Sequence, residues 1–389
     1  MSPHSDHETW LAELRSRIQE VPPAAALAQQ SQGALLIDVR EDGERAAGSP
    51  AGALGLSRGF LELRIEQAEA DRERPILTLC GSGVRSLLAA ETLQRLGYRY
   101  VQSVAGGFER WKTEGLPVVR GALDADASER YARQLRLPQV GEAGQAKLAA
   151  ASVVLLGAGG LGAPAALYLA AAGVGRLTLI DDDRVERSNL HRQVIHADAR
   201  VGMAKTESAR LALHALNPRV QVDTRDERLQ ADNVERLLAG HDVVVDGADN
   251  FPARYLLAAA SLRLKLPMVY GAVERFTGQV SVFDPRRDAS PCYRCLFPEP
   301  PAAADAPNCS EAGVLGVLPG IVGLLQATET LKLILGLGEP LTGRLLSFDA
   351  LAMHFRETRL PRDPGCPGCG RHAAFRGYED VARYCASGG

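Results

Sequence analysis

Seven cysteines and one glycine-rich loop carry most of the chemistry that this 389-residue sequence offers. Cys292 and Cys295 form one CxxC pair, and Cys366 and Cys369 form a second within PGCPGCG. Two such pairs supply the four thiolates of a closed tetrahedral zinc site, and their long separation in sequence is no obstacle in a folded domain. Neither pair is expected to open a helix after a strand, as a thioredoxin-like redox pair would, so structural zinc is the expected reading. Cys80 is a different case. It ends the β-rich run PILTLC and begins Cys80-Gly81-Ser82-Gly83-Val84-Arg85, followed by a helix opening at Ser86. A thiolate there meets backbone N–H groups and a helix N-terminus, both of which favour the charged, nucleophilic form; the plain alternative is a buried inert thiol. Cys309 stands in a loop rich in Pro and Ala ahead of a long helix, and Cys385 sits in the tail with no role assigned.

The glycine loop is Gly157-Ala158-Gly159-Gly160-Leu161-Gly162, directly after an expected strand and opening an expected helix. Glycines let the backbone approach a phosphate, whose charge is met by amide N–H groups at the helix N-terminus. Asp181, at the end of the next strand RLTLID, is placed to accept hydrogen bonds from a ribose. The physics is the same for NAD and ATP, so the loop alone does not choose between them. Downstream come Ser188, Asn189, Leu190, His191, Arg192 and Gln193, then Lys205, in a chain with 44 Lys and Arg residues dominated by Arg. A lysine here reads as a point charge for phosphate, or Arg192 and Lys205 merely decorate a solvated face. Asp246-Gly247-Ala248-Asp249-Asn250 ends another strand, at the sheet edge where ligands bind. Asp246 either serves that site or caps the next helix, and Asp249 is the better magnesium candidate.

The elements that must position these groups alternate strand and helix. ALLIDV, PILTLC and YVQSV with the helical SLLAAETLQRLGY make a small α/β domain over 34–119, preceded by an extension over 1–33. Residues 115–128, rich in Gly, Pro, Ala and Asp, read as a linker, assigned to 120–128. SVVLLGAG, RLTLID, HDVVVDGAD and PMVYGA, with helices between them, predict a mostly parallel doubly wound sheet over 129–370, and 371–389 is left as a tail. The net charge of −3, without a basic run interleaved with aromatics, argues against nucleic acid as a partner. The apolar stretch from Val314 to Gly338 is interrupted by Pro319, Glu329 and Lys332 and reads as a buried helix rather than a membrane span. An odd cysteine count in CxxC pairs and singles, with no signal-like N-terminus, points to the cytoplasm.

The runs RYARQLRLPQVGEAGQAKL, VVLLGAGGLGAPAALYLAAAGVGRLTLID, SNLHRQVIH, VGMAKTESA, DGADN, PCYRCLFP and CSEAGVLGVLPGIVGLLQATETLKLILG closely resemble the ThiF and MoeB group of adenylyltransferases, relatives of ubiquitin-activating enzymes. The resemblance covers nearly all of 128–370 and implies a Rossmann-like domain that uses ATP rather than NAD. It implies that Gly157, Gly159, Gly160, Gly162, Asp181, Ser188, Asn189, Leu190, His191, Arg192, Lys205, Asp249 and Asn250 make the site for ATP and Mg2+. It further implies a homodimer in which Arg133 reaches into the partner's site, and a catalytic cysteine at Cys309 that attacks the adenylate or pairs with a persulfide. The Cys80 loop, with Leu36-Ile37-Asp38-Val39-Arg40, Gly52-Ala53 and Gly106-Gly107-Phe108-Glu109-Arg110-Trp111, resembles the rhodanese sulfurtransferases over 34–120. ERAAGSPAGA lacks the histidine usual at that place, which is not the nucleophile.

Together these resemblances imply that ATP and Mg2+ activate the Gly-Gly carboxylate of a ubiquitin-like sulfur carrier of the MoaD and ThiS kind. A Cys80 persulfide, charged by thiosulfate or a cysteine desulfurase, then supplies the sulfur of a thiocarboxylate. Well-known two-domain relatives carry the rhodanese after the adenylating domain; here it comes first, so a flexible linker must bring the two together. An NAD-dependent oxidoreductase and a zinc-stapled scaffold without turnover are the alternatives. The pathway, whether molybdopterin, thiamine, tRNA thiolation or siderophore, is not written in the residues. The chain itself ends in Ser387-Gly388-Gly389, read as a chance tail.

Overall fold

A computed structural model describes residues 3–46, 48–119, 123–300, 313–379 and 381, and the chain divides into two compact units, Met1–Leu137 and Pro138–Gly389. The expectations for Cys309, Cys385 and Gly388-Gly389 lie outside the described residues.

In the first unit the strands are β1 (Glu20–Val21), β2 (Leu35–Asp38), β3 (Ser49–Pro50), β4 (Leu54–Gly55), β5 (Ile76–Leu79), β6 (Val101–Val104) and β7 (Val118–Val119). Five of them form a sheet in the order β1-β6-β5-β2-β4 with every pairing parallel, while β3 and β7 pair separately. A parallel sheet needs cover on both faces, and the apolar runs supply it. Leu36, Leu77 and Leu79 pack with Phe108 and Trp111 on one side, while Ile37, Val39, Ile76 and Cys80 pack with Leu87 and Leu93 on the other. Residues ahead of 34 take part in both layers, through Leu14, Ile18, Val21 and Ala26. After β7 the Asp124 carboxylate accepts the Ala127 N–H at 2.8 Å and starts helix Ala125–Arg130.

The second unit contains β8 (Ser152–Leu156), β9 (Arg176–Ile180), β10 (Gln221–Arg225), β11 (Val243–Asp246), β12 (Met268–Glu274), β13 (Thr277–Phe283), β14 (Arg344–Asp349) and β15 (His354–Arg359). Their order is β10-β9-β8-β11-β12-β13-β14-β15. The first five run parallel, in the doubly wound order whose switch lies between β8 and β11, and the last three extend the sheet antiparallel. Alternation along β8 sends Val153 and Leu155 to one core and Val154 and Leu156 to the other.

Helices Gly162–Ala172 and Val317–Leu335 pack together over the first of these cores. Small residues permit the approach: a Cβ on Gly323 would stand 2.4 Å from the Leu161 carbonyl oxygen. Among the described residues, Val317–Leu335 alone is long and apolar enough to cross a membrane. In the fold it buries Leu318, Val322, Gln326 and Glu329, and Gln326 Nε2 donates to the Asp246 and Val269 carbonyls at 2.7 and 3.0 Å. That is the buried helix its Pro, Glu and Lys predict.

Candidate active sites and metal centre

The ends of β8 and β11 meet where the strand order reverses, and glycine makes the meeting possible. Gly157 turns with φ +91°, and a Cβ there would lie 2.7 Å from the Gly247 oxygen. A Cβ on Gly162 would lie 1.8 Å from the Gly157 oxygen, so helix Gly162–Ala172 starts hard against the loop. Beside this turn opens a cleft of about 570 Å³. Gly157, Gly159, Gly160, Asp181, Arg192, Lys205, Asp249 and Asn250, all expected from sequence, line it. Ser188, Asn189 and His191 stand behind Arg192: its guanidinium donates to Asn189 Oδ1 (2.7 Å), the Ser188 carbonyl (3.4 Å) and His191 Nε2 (2.9 Å). Leu190 ends the same short helical turn. Arg133 belongs to the first unit.

Asp181 bridges loop and sheet, accepting the Ala158 N–H at 2.7 Å and the Asp183 N–H at 2.9 Å. Burial pushes its carboxyl above the ordinary range, against the pull of the Lys205 charge. The Lys205 ammonium is almost wholly enclosed and donates to Asp183 Oδ2 at 2.7 Å. Asp246 does not cap the following helix. Asn250 does, its Oδ1 accepting the Ala253 N–H at 3.0 Å. Asp246 instead lies fully buried, accepts the Ala248 N–H at 3.0 Å and pairs with Arg254 at 3.3 Å. Burial raises its pKa to about 6, with Arg254 opposing. Asp249 stands exposed at the cleft, bonded to Asn250 Nδ2 at 3.1 Å, where a hard cation is accessible to it.

Sequence reasoning passed over Asp183, Arg254, Gln326 and His196. The first could have been found in the run Asp181-Asp182-Asp183, where one carboxylate serves the loop and another holds the lysine. His196 closes the run SNLHRQVIH, buried, with Nδ1 at 2.9 Å from Ser208 Oγ and Nε2 at 3.0 Å from the Ala158 carbonyl of the loop. Burial pushes its pKa down to about 4.

The four CxxC cysteines converge from the β13 end of the sheet and from beyond β15. Their sulfurs all lie within 4.8 Å of one another, with Cys292–Cys366 at 3.6 Å and Cys295–Cys369 at 3.5 Å. Four thiolates about 2.3 Å from one zinc ion stand about 3.8 Å apart, so the set fits a tetrahedral site. The Asp363 N–H donates to the Cys295 sulfur at 3.5 Å and the Gly368 N–H to that of Cys366 at 3.3 Å, as thiolate ligands require. Cys292 precedes a single helical turn, Tyr293–Leu296, well separated from the strand that ends at Phe283. What separates this cluster from a redox pair is that each sulfur faces a cysteine of the other pair.

In the first unit Cys80 follows β5 and is buried, with the Gly83 N–H donating to its sulfur at 3.1 Å ahead of helix Val84–Arg95. Ser86 Oγ lies 3.5 Å from the sulfur and is itself held by Ser103 Oγ at 2.9 Å. The Gly106-Gly107 turn supports the loop from below: a Cβ on Gly107 would stand 2.3 Å from the Cys80 oxygen, and the Phe108 N–H donates to that oxygen at 2.7 Å. Arg40 is buried against Asp38 at 2.6 Å and covers the Phe108 ring at 3.8 Å.

Two protein families match this chain. The model of the ThiF family matches residues 131–368, and that of the rhodanese-like domain matches 22–114. The chain is 50% identical over 260 residues to the sulfur carrier protein adenylyltransferase of Thermus thermophilus, covering 66% of this chain and 96% of that one. It is 46% identical over 265 residues to adenylyltransferase and sulfurtransferase MOCS3-1 of Zea mays, covering 68% of this chain and 56% of the relative. Among solved structures, E. coli MccB with ATP shares the fold at a TM-score of 0.55 and 23% identity, over 62% of this chain and 73% of that one.

Proposed function

The chain belongs to the ThiF family and carries a rhodanese-like domain ahead of the matching region, and from that premise we propose that its two units perform successive parts of one thiocarboxylate synthesis. It is an enzyme, an adenylyltransferase with a sulfurtransferase domain, that acts on the C-terminal carboxylate of a ubiquitin-like sulfur carrier. The observation that carries the first half is the convergence of the glycine loop, Asp181, Arg192, Lys205 and Asp249 on one cleft.

A carboxylate is a poor acyl donor. Attack of its oxygen on the α-phosphorus of ATP, with pyrophosphate departing with the electron pair, converts it to a mixed anhydride with AMP as leaving group. Two anionic reactants must meet, so Arg192 and Lys205 neutralise phosphate charge while the loop N–H groups and the helix at Gly162 hold the nucleotide. Asp181 receives the ribose. Mg2+ held at Asp249 would add charge neutralisation. Arg133 acts in the site of a second subunit, which makes the homodimer the working form. Zinc on Cys292, Cys295, Cys366 and Cys369 is structural.

In the second half a Cys80 persulfide attacks the acyl carbon and AMP leaves, giving an acyl disulfide. A thiol, for which Cys309 is our candidate, attacks the Cys80 sulfur and releases the carrier as thiocarboxylate. The adenylylating domain is taken as 129–370, the sulfurtransferase as 34–119, joined through 120–128, and the compartment as cytoplasm. The test is mass spectrometry of a Gly-Gly carrier incubated with enzyme, ATP and a sulfur donor. A gain of about 16 Da, the exchange of one oxygen for sulfur, is expected with the native chain and is lost in Cys80→Ala. Undiminished thiocarboxylate from Cys80→Ala would refute the coupling, and absence of ATP–pyrophosphate exchange would refute adenylylation.

A further inference from the structure

The charges around Cys80 bear on which sulfur donor it accepts. Gly81, Ser82, Gly83 and Val84 are uncharged, so Arg85 is the one cation of the active loop. Its Nη2 lies 3.4 Å from where a Cβ on Gly81 would stand, which puts the guanidinium over the loop. It is already engaged. Nη1 and Nη2 donate to the two carboxylate oxygens of Glu44, each at 2.7 Å, in a bidentate pair. The hydrogen bonds from Arg85 hold Glu44 down to about 2, so the carboxylate stays ionised throughout the physiological range.

Of the neighbouring cations, Arg40 is buried against Asp38, Arg45 pairs with Asp42, and Lys112 lies over the Phe108 ring. Glu44 Oε2 also accepts the Glu41 N–H at 3.1 Å, and the Glu41 charge acts on Arg85. Glu41 and Glu44 thus both act on the Arg85 charge. Thiosulfate is a dianion. To be cleaved it must bring two negative charges up to a thiolate, and its departing sulfite needs a cation to receive the developing charge. A thiol persulfide carries one negative charge at most and releases an ordinary thiolate.

We propose that Glu44 sets donor specificity by occupying Arg85, so that sulfur reaches Cys80 from the persulfide of another thiol and thiosulfate is a poor donor. The inference rests on the reading of Cys80 as the sulfur-carrying residue. In the favoured step the Cys80 thiolate attacks the terminal sulfur of R–S–SH; the new S–S bond forms as the old one breaks, R–S⁻ leaves with the electron pair, and Cys80 keeps the sulfur as a persulfide. With thiosulfate the same attack on the sulfane sulfur would expel sulfite.

The experiment measures Cys80 charging in the full chain by mass, and turnover with cyanide as acceptor, using cysteine persulfide and thiosulfate as the two probes. The native chain is expected to favour cysteine persulfide. Glu44→Gln frees Arg85 and is expected to raise kcat/KM for thiosulfate by about tenfold, the low end of the worth of a charge-assisted hydrogen bond. The gain should weaken as ionic strength rises, and Glu44→Gln with Arg85→Gln should abolish it while persulfide turnover persists; persulfide turnover in both variants also reports that they fold. An unchanged thiosulfate-to-persulfide ratio in Glu44→Gln, or a gain that survives loss of Arg85, overturns the proposal. Failure of both donors to charge Cys80 in the native chain would instead overturn the reading of Cys80, and this proposal with it.

Discussion

Replacing His196 with Leu removes both ring hydrogen bonds while keeping an apolar side chain of similar bulk in the pocket. The Ala158 carbonyl can only accept, so Nε2 carries the proton, and Nδ1 accepts from the Ser208 hydroxyl. The ring is therefore neutral, held there by burial and further by the Lys205 and Arg200 charges, with its pKa pushed down to about 4 from 6.5. In His196→Leu a carbonyl of the nucleotide loop and a buried hydroxyl lose their partners, at about 1–3 kcal/mol each, so a deficit of roughly 2–6 kcal/mol is expected at pH 7. The pH dependence has a definite sign. A histidine whose folded pKa lies below its unfolded value contributes its full stability above the unfolded pKa and loses it as pH falls towards the folded one. Each pH unit in that window removes at most about 1.4 kcal/mol, so between pH 6.5 and 4.5 the native chain gives up roughly 2 kcal/mol that the Leu variant has no group to lose. The deficit should shrink by that amount. Urea unfolding at the two pH values measures it. The chain has two tryptophans, Trp10 and Trp111, both in the first unit, so a far-ultraviolet circular dichroism transition without a fluorescence counterpart belongs to the second. An equal deficit at pH 7 and pH 4.5 would refute the assignment of a neutral, buried imidazole.

Lys205→Met keeps the stem but deletes the enclosed ammonium; ATP–pyrophosphate exchange should fall by about 10²–10³-fold with the dichroism spectrum intact, and full activity would remove Lys205 from the phosphate site. Cys366→Ser should lower bound zinc from about one per chain and weaken the unfolding transition of the second unit, leaving the tryptophan signal of the first unchanged. Native stability in the presence of a strong chelator, with zinc lost, would show that the cluster does not staple the fold.

The sequence by itself determined the alternation of strands and helices, the glycine turn after β8, the two CxxC pairs and the thiol at the end of β5. Each rests on local rules: apolar runs of strand length, glycine where the backbone must come close, and paired thiols at ligand spacing. It also marked the glycine loop, Asp181, Arg192, Lys205, Asp249 and Asn250 among the residues that line the cleft, because ligands gather at the carboxyl ends of parallel strands and those ends are legible. Tertiary structure decided which neighbour each charged group meets. Asp246 and Asn250 stand four positions apart, and either side chain is able to cap a helix; only the packing of Arg254 beside β11 made Asp246 a buried ion-pair partner and left the cap to Asn250. Burial of His196, 38 residues from the carbonyl it holds, and the meeting of Glu44 with Arg85, 41 residues apart, arise from chain crossings that no local pattern encodes. The antiparallel β13, β14 and β15 likewise went unforeseen, since His354–Arg359 is exposed along its whole length and lacks the apolar periodicity that reveals a strand. Its place is held by the β14 backbone beside it, because a hydrogen-bonded ladder can order a polar segment that carries no hydrophobic signal of its own.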